Sequence, residues 1–117
     1  MTGETNYQAG LNAGAIVVRD YEGRGFQVLS QRWRGQAGEI DLIFQTADEI
    51  VFVEVKKSKT HASALAALLP RQMARIATAA AEFLDGQPNG QLTQCRFDVA
   101  AVDSIGRIDI VENAITQ

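Results

Sequence analysis

The amino-acid sequence predicts an α/β fold in which a mixed central sheet is flanked by helices. Three observations support this class: two segments carry apolar residues at helical spacing, several shorter segments alternate apolar and polar residues, and turn-forming residues separate them. The predicted order of elements is αβββαβ, followed by one short strand. The chain has 117 residues, of which 46% are hydrophobic, so we expect a single domain over 1–117.

Two helices are predicted from the apolar periodicity. The first covers about residues 6–23 and ends at Gly23 and Gly25. Its apolar positions are Tyr7, Leu11, Val18 and Tyr21. The second helix has Pro70 in its first turn and ends at the turn that Asp85 begins. Its apolar stripe is Met73, Ile76, Ala77, Ala80, Phe83 and Leu84, and its opposite side carries Arg71, Arg75, Thr78 and Glu82.

Five strands are predicted between and after these helices. Phe26 to Trp33 and Glu39 to Phe44 come first, and Ile50 to Lys56 returns after an acidic turn, which makes an antiparallel hairpin the simplest connection. Gln94 to Val102 and the short segment Ile108 to Val111 complete the set. The third strand is apolar on both faces, as expected for a central strand covered by helices on two sides.

Charged residues interrupt the second and third predicted strands. Because a strand alternates its faces, Glu39 and Asp41 share one face of the second strand. Glu54 and Lys56 share one face of the third, about 6.6 Å apart. A charge in such an apolar run is costly unless it is paired, hydrated or bound to a metal. The hairpin therefore predicts a polar cluster formed by all four side chains.

Carboxylates that converge with one ammonium group suit a hard divalent cation such as Mg²⁺ or Mn²⁺. We predict Asp41 and Glu54 as the metal ligands, close enough to share one ion. Lys56 would orient or deprotonate the attacking water, or stabilise charge that develops on a scissile phosphate; both roles stay open. Glu39 is a further candidate for the catalytic set. The alternative interpretation is that these residues only form cross-strand ion pairs at a wet sheet edge.

The motif resembles that of a known nuclease superfamily. Asp41, thirteen residues before Glu54-Val55-Lys56, is similar to the acid…(Asp/Glu)-x-Lys signature of the PD-(D/E)xK superfamily. Over nearly the whole chain, further blocks resemble the YraN-like family of small bacterial proteins. These blocks are Gly25-Phe26, Arg32-Trp33-Arg34, Gly38-Glu39-Ile40-Asp41-Leu42-Ile43, Val51-Phe52-Val53-Glu54-Val55-Lys56, Pro70-Arg71-Gln72 and Arg96-Phe97-Asp98-Val99.

The resemblance implies a restriction-endonuclease-like core and a metal-dependent endonuclease that hydrolyses phosphodiester bonds in nucleic acid, with DNA as the first candidate. It also makes Gln72 a candidate for the catalytic set, since some superfamily members use a polar residue there; the alternative is that Gln72 is simply solvated at the start of the helix. One position departs from the family pattern, because Gly14 stands where relatives commonly carry a Glu. Glu22 lies about 12 Å further along the helix and cannot substitute. We therefore expect reduced metal affinity or turnover.

The formal net charge of −3 is unusual for a protein that binds phosphates, but the distribution of charge matters more than its sum. Basic residues gather around the predicted site. The predicted nucleic-acid contacts are Arg32, Arg34, Lys57, Lys59, Arg71 and Arg75. The alternative is that these side chains form ordinary solvated faces.

Composition argues against several other classes of protein. The first residues lack a basic region and no apolar run approaches about 18 residues, so we expect a cytoplasmic protein with no membrane partner. Cys95 is the only cysteine, which excludes an internal disulfide and a cysteine-rich zinc site. Nucleic acid is the expected partner, and a homodimer is left open.

Two other functions compete with that of a nuclease. One is a nucleic-acid-binding module that keeps the nuclease scaffold and has weakened or no catalysis, which Gly14 and the low net charge would explain. The other is a protein-interaction domain in which the acids and Lys56 are only salt-bridged. Cleavage with Mg²⁺ or Mn²⁺ supports the nuclease, and salt-sensitive binding without cleavage supports the binding module.

Overall fold

The computed structural model describes residues 3–57, 59–60 and 70–114, with side chains from residue 12 onward. In this part of the chain, two α-helices and one short 3₁₀ helix accompany five strands. The helices are α1 (Gly3–Gly23) and α2 (Pro70–Leu84), and the 3₁₀ helix is Gly90–Leu92. The strands are β1 (Gln27–Arg34), β2 (Glu39–Gln45), β3 (Ile50–Lys57), β4 (Cys95–Val102) and β5 (Ile108–Val111).

The five strands form one mixed sheet in the order β1-β2-β3-β4-β5. β3 and β4 are parallel, whereas all other neighbours are antiparallel. A parallel pair needs a crossover connection, and α2 lies in the segment that joins β3 to β4. The predicted α/β class, the element order and the β2–β3 hairpin are confirmed, and the arrangement is that of a restriction-endonuclease-like core.

Among the described residues, α1 covers one face of the sheet and α2 the other, and β3 contributes to both cores. Phe52 packs in the cluster that includes Ile76 of α2. Val51 and Val53 pack in the other cluster, which includes Val17 of α1. The continuous apolar run of β3 follows from this position, because a central strand with two covered faces has no solvated side.

The helix registers differ in detail from the predicted ones. In α1 the buried positions are Ala13, Val17 and Tyr21, and Val18 is only half-buried. The side chains of Tyr7 and Leu11 lie outside the described residues. In α2, Ala79 is buried together with Ile76, Ala80 and Leu84. Ala77 is half-buried.

The side of α2 opposite the apolar stripe also makes contacts. Arg75 and Glu82, which the helical projection places opposite the apolar stripe, are both half-buried and contact the loop between β1 and β2. The loop supplies backbone partners for both side chains, which a helical projection does not reveal.

A buried polar network lies beneath α1. Asp98 of β4 is 1% exposed and accepts hydrogen bonds from the Tyr21 hydroxyl at 2.6 Å, Arg96 Nε at 3.0 Å and the Asn113 amide at 3.0 Å. Arg96 also contacts Glu49 at 2.8 Å. The network thus joins α1, β4, the β2–β3 turn and the segment after β5.

No helix among the described residues has both the length and the apolar composition needed to cross a bilayer.

Candidate active site

The candidate site forms where the β2–β3 ladder ends. Paired residues run from Gln45 and Ile50 to Leu42 and Val53, and the ladder stops there. Beyond it, the Val55 amide donates a hydrogen bond at 2.8 Å to Asp41 Oδ2. A side-chain oxygen therefore takes the place of a backbone carbonyl, which fixes the Asp41 carboxyl group against β3.

Glu54 and Lys56 lie beside Asp41, as the alternation of β3 predicts. Glu54 is 8% exposed, and its carboxyl group lies within hydrogen-bonding reach of that of Asp41. Lys56 Nζ is 3.5 Å from Glu54 Oε2, and its side chain is 19% exposed. Two carboxyl groups and one ammonium group therefore share a largely buried position at the end of the hairpin.

The surroundings of Glu54 disfavour its ionised form. Burial raises the pKa of Glu54 to about 7, and the negative charge and hydrogen bond of Asp41 act in the same direction. The positive charges of Lys56 and Arg75 oppose this rise. A positive charge placed between the two carboxyl groups would lower this pKa.

This shift predicts that Glu54→Gln is more stable than the wild type above pH 7 when divalent metals are removed. The pKa of Glu54 rises from 4.5 to about 7 on folding, so between these values the folded state holds a proton that the unfolded chain releases. The raised pKa destabilises the folded wild type. This destabilisation is absent below pH 4.5, grows as the pH rises, and is complete above pH 7. A shift of this size corresponds to about 3 kcal/mol. Urea denaturation in EDTA across this pH range measures the difference.

Glu39→Gln provides the matched control for this prediction. It makes the same substitution on the same hairpin, at a carboxylate that contacts Arg32 and Arg34 and is 24% exposed. Its stability should show no gain above pH 7. If the difference in unfolding free energy between Glu54→Gln and the wild type is the same at every pH, the raised pKa is contradicted.

The loop between β1 and β2 is held by α2. Glu82 accepts hydrogen bonds from the Gln36 amide at 2.9 Å and from the Ala37 amide at 3.4 Å. A Cβ at Gly35 would lie 2.5 Å from Glu82 Oε1, so this approach requires glycine. The loop leads directly into β2, and Glu82 therefore fixes the strand that carries Asp41.

Arg75 makes the second contact between α2 and this loop. Its side chain crosses Gly38, whose φ of +143° favours glycine, and its Nη1 donates to the Glu39 carbonyl at 3.4 Å. The sequence contains a signal for both contacts, since the glycines at 35 and 38 flank the loop. Periodicity gave no indication of which side chains would approach them.

The other predicted residues are placed around this centre. The Glu39 carboxylate lies 3.1 Å from Arg34 Nη2 and 3.5 Å from Arg32 Nε, so these arginines hold it in an ion-pair cluster on β1 and β2. Gln72 is half-buried in the first turn of α2, one turn before Arg75. The exposed members of the predicted nucleic-acid set are Arg32, Arg34, Lys57, Lys59 and Arg71.

The donor set fits a hard cation that keeps much of its own hydration. Among the described residues no group of three or more His, Cys, Asp or Glu side chains could hold a metal, so a cation at this position would have at most the carboxyl groups of Asp41 and Glu54 as protein ligands. Mg²⁺ is commonly bound by one or two carboxylates together with several waters.

Comparison with known proteins identifies similar sequences in several bacteria. The model of the uncharacterised protein family UPF0102 matches residues 14–102. A UPF0102 protein of Cereibacter sphaeroides is 56% identical over 114 residues, which cover 97% of each chain. One from Ruegeria pomeroyi is 56% identical over 112 residues, covering 96% of this chain and 91% of its own. One from Roseobacter denitrificans is 48% identical over 98% of this chain and 89% of its own.

Proposed function

The chain belongs to the uncharacterised protein family UPF0102, the YraN-like family, and from this premise we propose that it is a metal-dependent endonuclease that hydrolyses phosphodiester bonds of nucleic acid. DNA is the first substrate to test. One observation supports the proposal above all: Asp41 and Glu54 meet beside the Lys56 ammonium group at the end of a hairpin. Burial and mutual repulsion make this pair a poor place for two negative charges unless a cation joins them.

Asp41 and Glu54 would hold the ion, Mg²⁺ or Mn²⁺. Lewis-acid polarisation of a phosphate oxygen is the chemistry that such an ion supplies when bound. The Val55 amide keeps Asp41 oriented toward Glu54, so the two ligands are organised before the ion arrives. Glu82 and Arg75 support this arrangement from α2 by holding the loop that leads into β2.

Lys56 has a different role from the two acids. Its ammonium group lies beside Glu54 on the same face of β3, where it can donate hydrogen bonds to a phosphate or to the attacking water. It provides positive charge at the position where negative charge grows in the transition state. We therefore assign it to the chemical step and the exposed arginines to binding.

A nucleic-acid-binding module with weakened catalysis is the second candidate. The specific observation in its favour is the small ligand set, because Gly14 offers no carboxylate where relatives commonly have one. Such a protein would bind nucleic acid with a strong salt dependence and would cleave it slowly or not at all.

The proposal is tested by Mn²⁺ titration calorimetry together with a cleavage assay on single-stranded, duplex and branched DNA and on structured RNA. We expect one bound ion and metal-dependent cleavage for the wild type, and loss of both for Glu54→Gln. Glu39→Gln should keep both, since its carboxylate contacts Arg32 and Arg34. Salt-sensitive binding without cleavage would favour the second candidate. Absence of both cleavage and binding would favour a protein-interaction domain.

The family resemblance implies that a carboxylate at position 14 strengthens the site, although α1 covers the sheet face opposite to the one on which Glu54 and Lys56 lie. Gly14 is half-buried in α1, and a Cβ there would meet nothing within 4 Å, so a longer side chain can be accommodated. We expect Gly14→Glu to raise the affinity for Mn²⁺. Replacing a helical glycine should also add about 0.5–1 kcal/mol to the free energy of unfolding.

Gly14→Gln separates these two effects, because it matches the helix propensity and length of Glu without the charge. Calorimetry should show increased Mn²⁺ affinity for Gly14→Glu only, whereas denaturation should show both variants to be more stable. Equal Mn²⁺ affinity in the two folded variants would mean that position 14 does not contribute to the metal site.

A further inference from the structure

A cavity of about 190 Å³ lies at the carboxyl ends of the parallel strands β3 and β4, on the α1 face of the sheet. Its floor is apolar and its rim is polar. Ala13, Ile16 and Val102 belong to the floor, and Asn12, Lys57 and Ser104 to the rim. Ligands of open α/β sheets bind outside the carboxyl ends of parallel strands, so the location itself is a favoured one.

Lys57 gives this cavity a positive charge that none of the described carboxylates neutralises. The side chain is exposed, and no carboxylate among the described side chains pairs with it. Its neighbour Lys56 differs, because that ammonium group pairs with Glu54. An unpaired ammonium group on a cavity rim is suited to an anionic ligand.

Asp103 also lines the cavity but does not make it a cation site. Its Oδ2 accepts a hydrogen bond from Arg107 Nε at 2.7 Å, and its Oδ1 accepts from the amides of Ile105 at 3.1 Å and Arg107 at 2.9 Å. Both carboxylate oxygens are therefore used inside the β4–β5 turn, and a guanidinium group balances the charge. The remaining polar groups of the rim are the donors Lys57, Asn12 and Ser104.

We propose that this cavity binds a phosphate group of the nucleic-acid strand whose neighbouring phosphodiester lies at Asp41 and Glu54. The inference rests on the proposed function and names where the same substrate places a second phosphate. The volume admits a phosphate group and a few waters, each of which takes about 30 Å³ in the liquid. Lys57 supplies the charge, and Asn12 and Ser104 supply hydrogen bonds.

The alternation of β3 connects the two positions. Glu54 and Lys56 point toward the α2 face, and Lys57 points toward the α1 face, at the last residues of one strand. A nucleic-acid strand that passes over the end of β3 would meet Lys56 on one side and Lys57 on the other. The strand end would thus hold two successive phosphates on opposite faces of the sheet.

The test is a titration of ¹⁵N-labelled protein with short single-stranded DNA in EDTA, followed through the amide signals of Ser104 and Gly106. Affinity is measured by fluorescence anisotropy at several salt concentrations. We expect both amide signals to shift in the wild type and not in Lys57→Met. The slope of log K against log salt should become shallower by about 0.7 for one lost phosphate contact on a single strand. Ser104→Asp, which adds a negative charge at the rim, should weaken binding several-fold.

Arg19→Met is the matched control, since Arg19 is an exposed cation of α1 that does not line the cavity. It should leave the shifts of Ser104 and Gly106 unchanged. A second titration uses inorganic phosphate, which separates the two sources of this ligand. Shifts with inorganic phosphate and none with DNA would overturn the assignment to a nucleic-acid strand. Absence of shifts with either, or equal shifts in Lys57→Met, would overturn the site itself.

Failure of this inference is distinguishable from failure of the proposed function, because no metal is present in the titration. If Mn²⁺ binds at Glu54 and cleavage occurs while the Ser104 and Gly106 signals stay unchanged, the metal site stands and the phosphate site is overturned. If those signals shift with DNA while Mn²⁺ does not bind, the phosphate site stands and the proposed hydrolysis is overturned.

Discussion

Replacing Lys56 by Met should abolish metal-dependent cleavage while largely sparing nucleic-acid binding. Lys56 Nζ lies 3.5 Å from Glu54 Oε2. In the proposed hydrolysis it would stabilise the charge that develops on the phosphate. A group that acts mainly in the transition state affects the rate more than the affinity. Loss of one such stabilising donor commonly lowers the rate by about 100-fold to 1,000-fold. Single-turnover cleavage and anisotropy with the same substrate measure the two effects separately.

Arg71→Ala is the matched variant with the opposite expectation. Arg71 is exposed on α2, so its loss should weaken binding and reduce the salt dependence, with little effect on the rate at saturating protein. Arg75→Ala is less suitable because Arg75 also packs over Gly38 and donates to the Glu39 carbonyl. Cleavage by Lys56→Met at the wild-type rate would remove Lys56 from the chemical step.

Lys56→Met also tests the electrostatics of the acids. Without the ammonium group, Glu54 keeps the burial and the Asp41 charge that raise its pKa and loses one of the groups that lower it. The Mn²⁺ affinity of Lys56→Met should therefore be measured together with its cleavage rate. A lost rate with retained Mn²⁺ affinity assigns Lys56 to the chemistry, whereas loss of both assigns it to assembly of the metal site.

The sequence predicted the strands and the Glu54–Lys56 pair because both depend on the period of two. In β2 this period is interrupted, since Ile40 packs in the core on the α2 face and Leu42 in the core on the α1 face, so the structure does not bear out the common face predicted for Glu39 and Asp41. Alternation along β3 places Glu54 and Lys56 on one face and Lys57 on the other, and the short acidic turn implies the hairpin that brings Asp41 beside them. These relations are local in the chain. They follow from strand geometry without knowledge of the helices.

The contacts of α2 with the β1–β2 loop could not be predicted in the same way. Glu82 accepts hydrogen bonds from backbone amides that precede it by 45 and 46 residues, and the helical projection shows only that Glu82 lies opposite the apolar stripe. Glu39 shows the same limit, since its β2 position also allowed pairing with Arg32 and Arg34 on the neighbouring strand. Contacts between distant parts of the chain determine where such side chains lie, and a single sequence does not reveal these contacts.

The buried network around Asp98 predicts the largest effect on stability. Asp98→Ala removes the carboxylate that accepts hydrogen bonds from the Tyr21 hydroxyl and the Asn113 amide. It also removes one of the carboxylates that pair with Arg96. Burial raises the pKa of Tyr21, and its hydrogen bond to Asp98 adds to this, so Tyr21 stays a neutral donor that needs an acceptor. Breaking a buried pair of this kind costs about 3–5 kcal/mol. The free energy of unfolding of a typical domain is only about 5–15 kcal/mol, so the midpoint of thermal unfolding of Asp98→Ala should be roughly 10–20 °C lower than that of the wild type.

Two variants make the Asp98 result interpretable. Asp109→Ala makes the same substitution at an exposed position of β5 and should change the free energy of unfolding by no more than about 0.5 kcal/mol. Tyr21→Phe removes one donor and leaves Arg96 paired with Asp98, so it should cost about 1 kcal/mol. Glu49 still contacts Arg96 when Asp98 is lost, which sets the lower end of the expected range. Urea denaturation gives all three values. If the free energies of unfolding of Asp98→Ala and Asp109→Ala differ by less than 1 kcal/mol, the network does not hold α1 against the sheet. The apolar contacts of Val17 and Tyr21 would then be sufficient to do so.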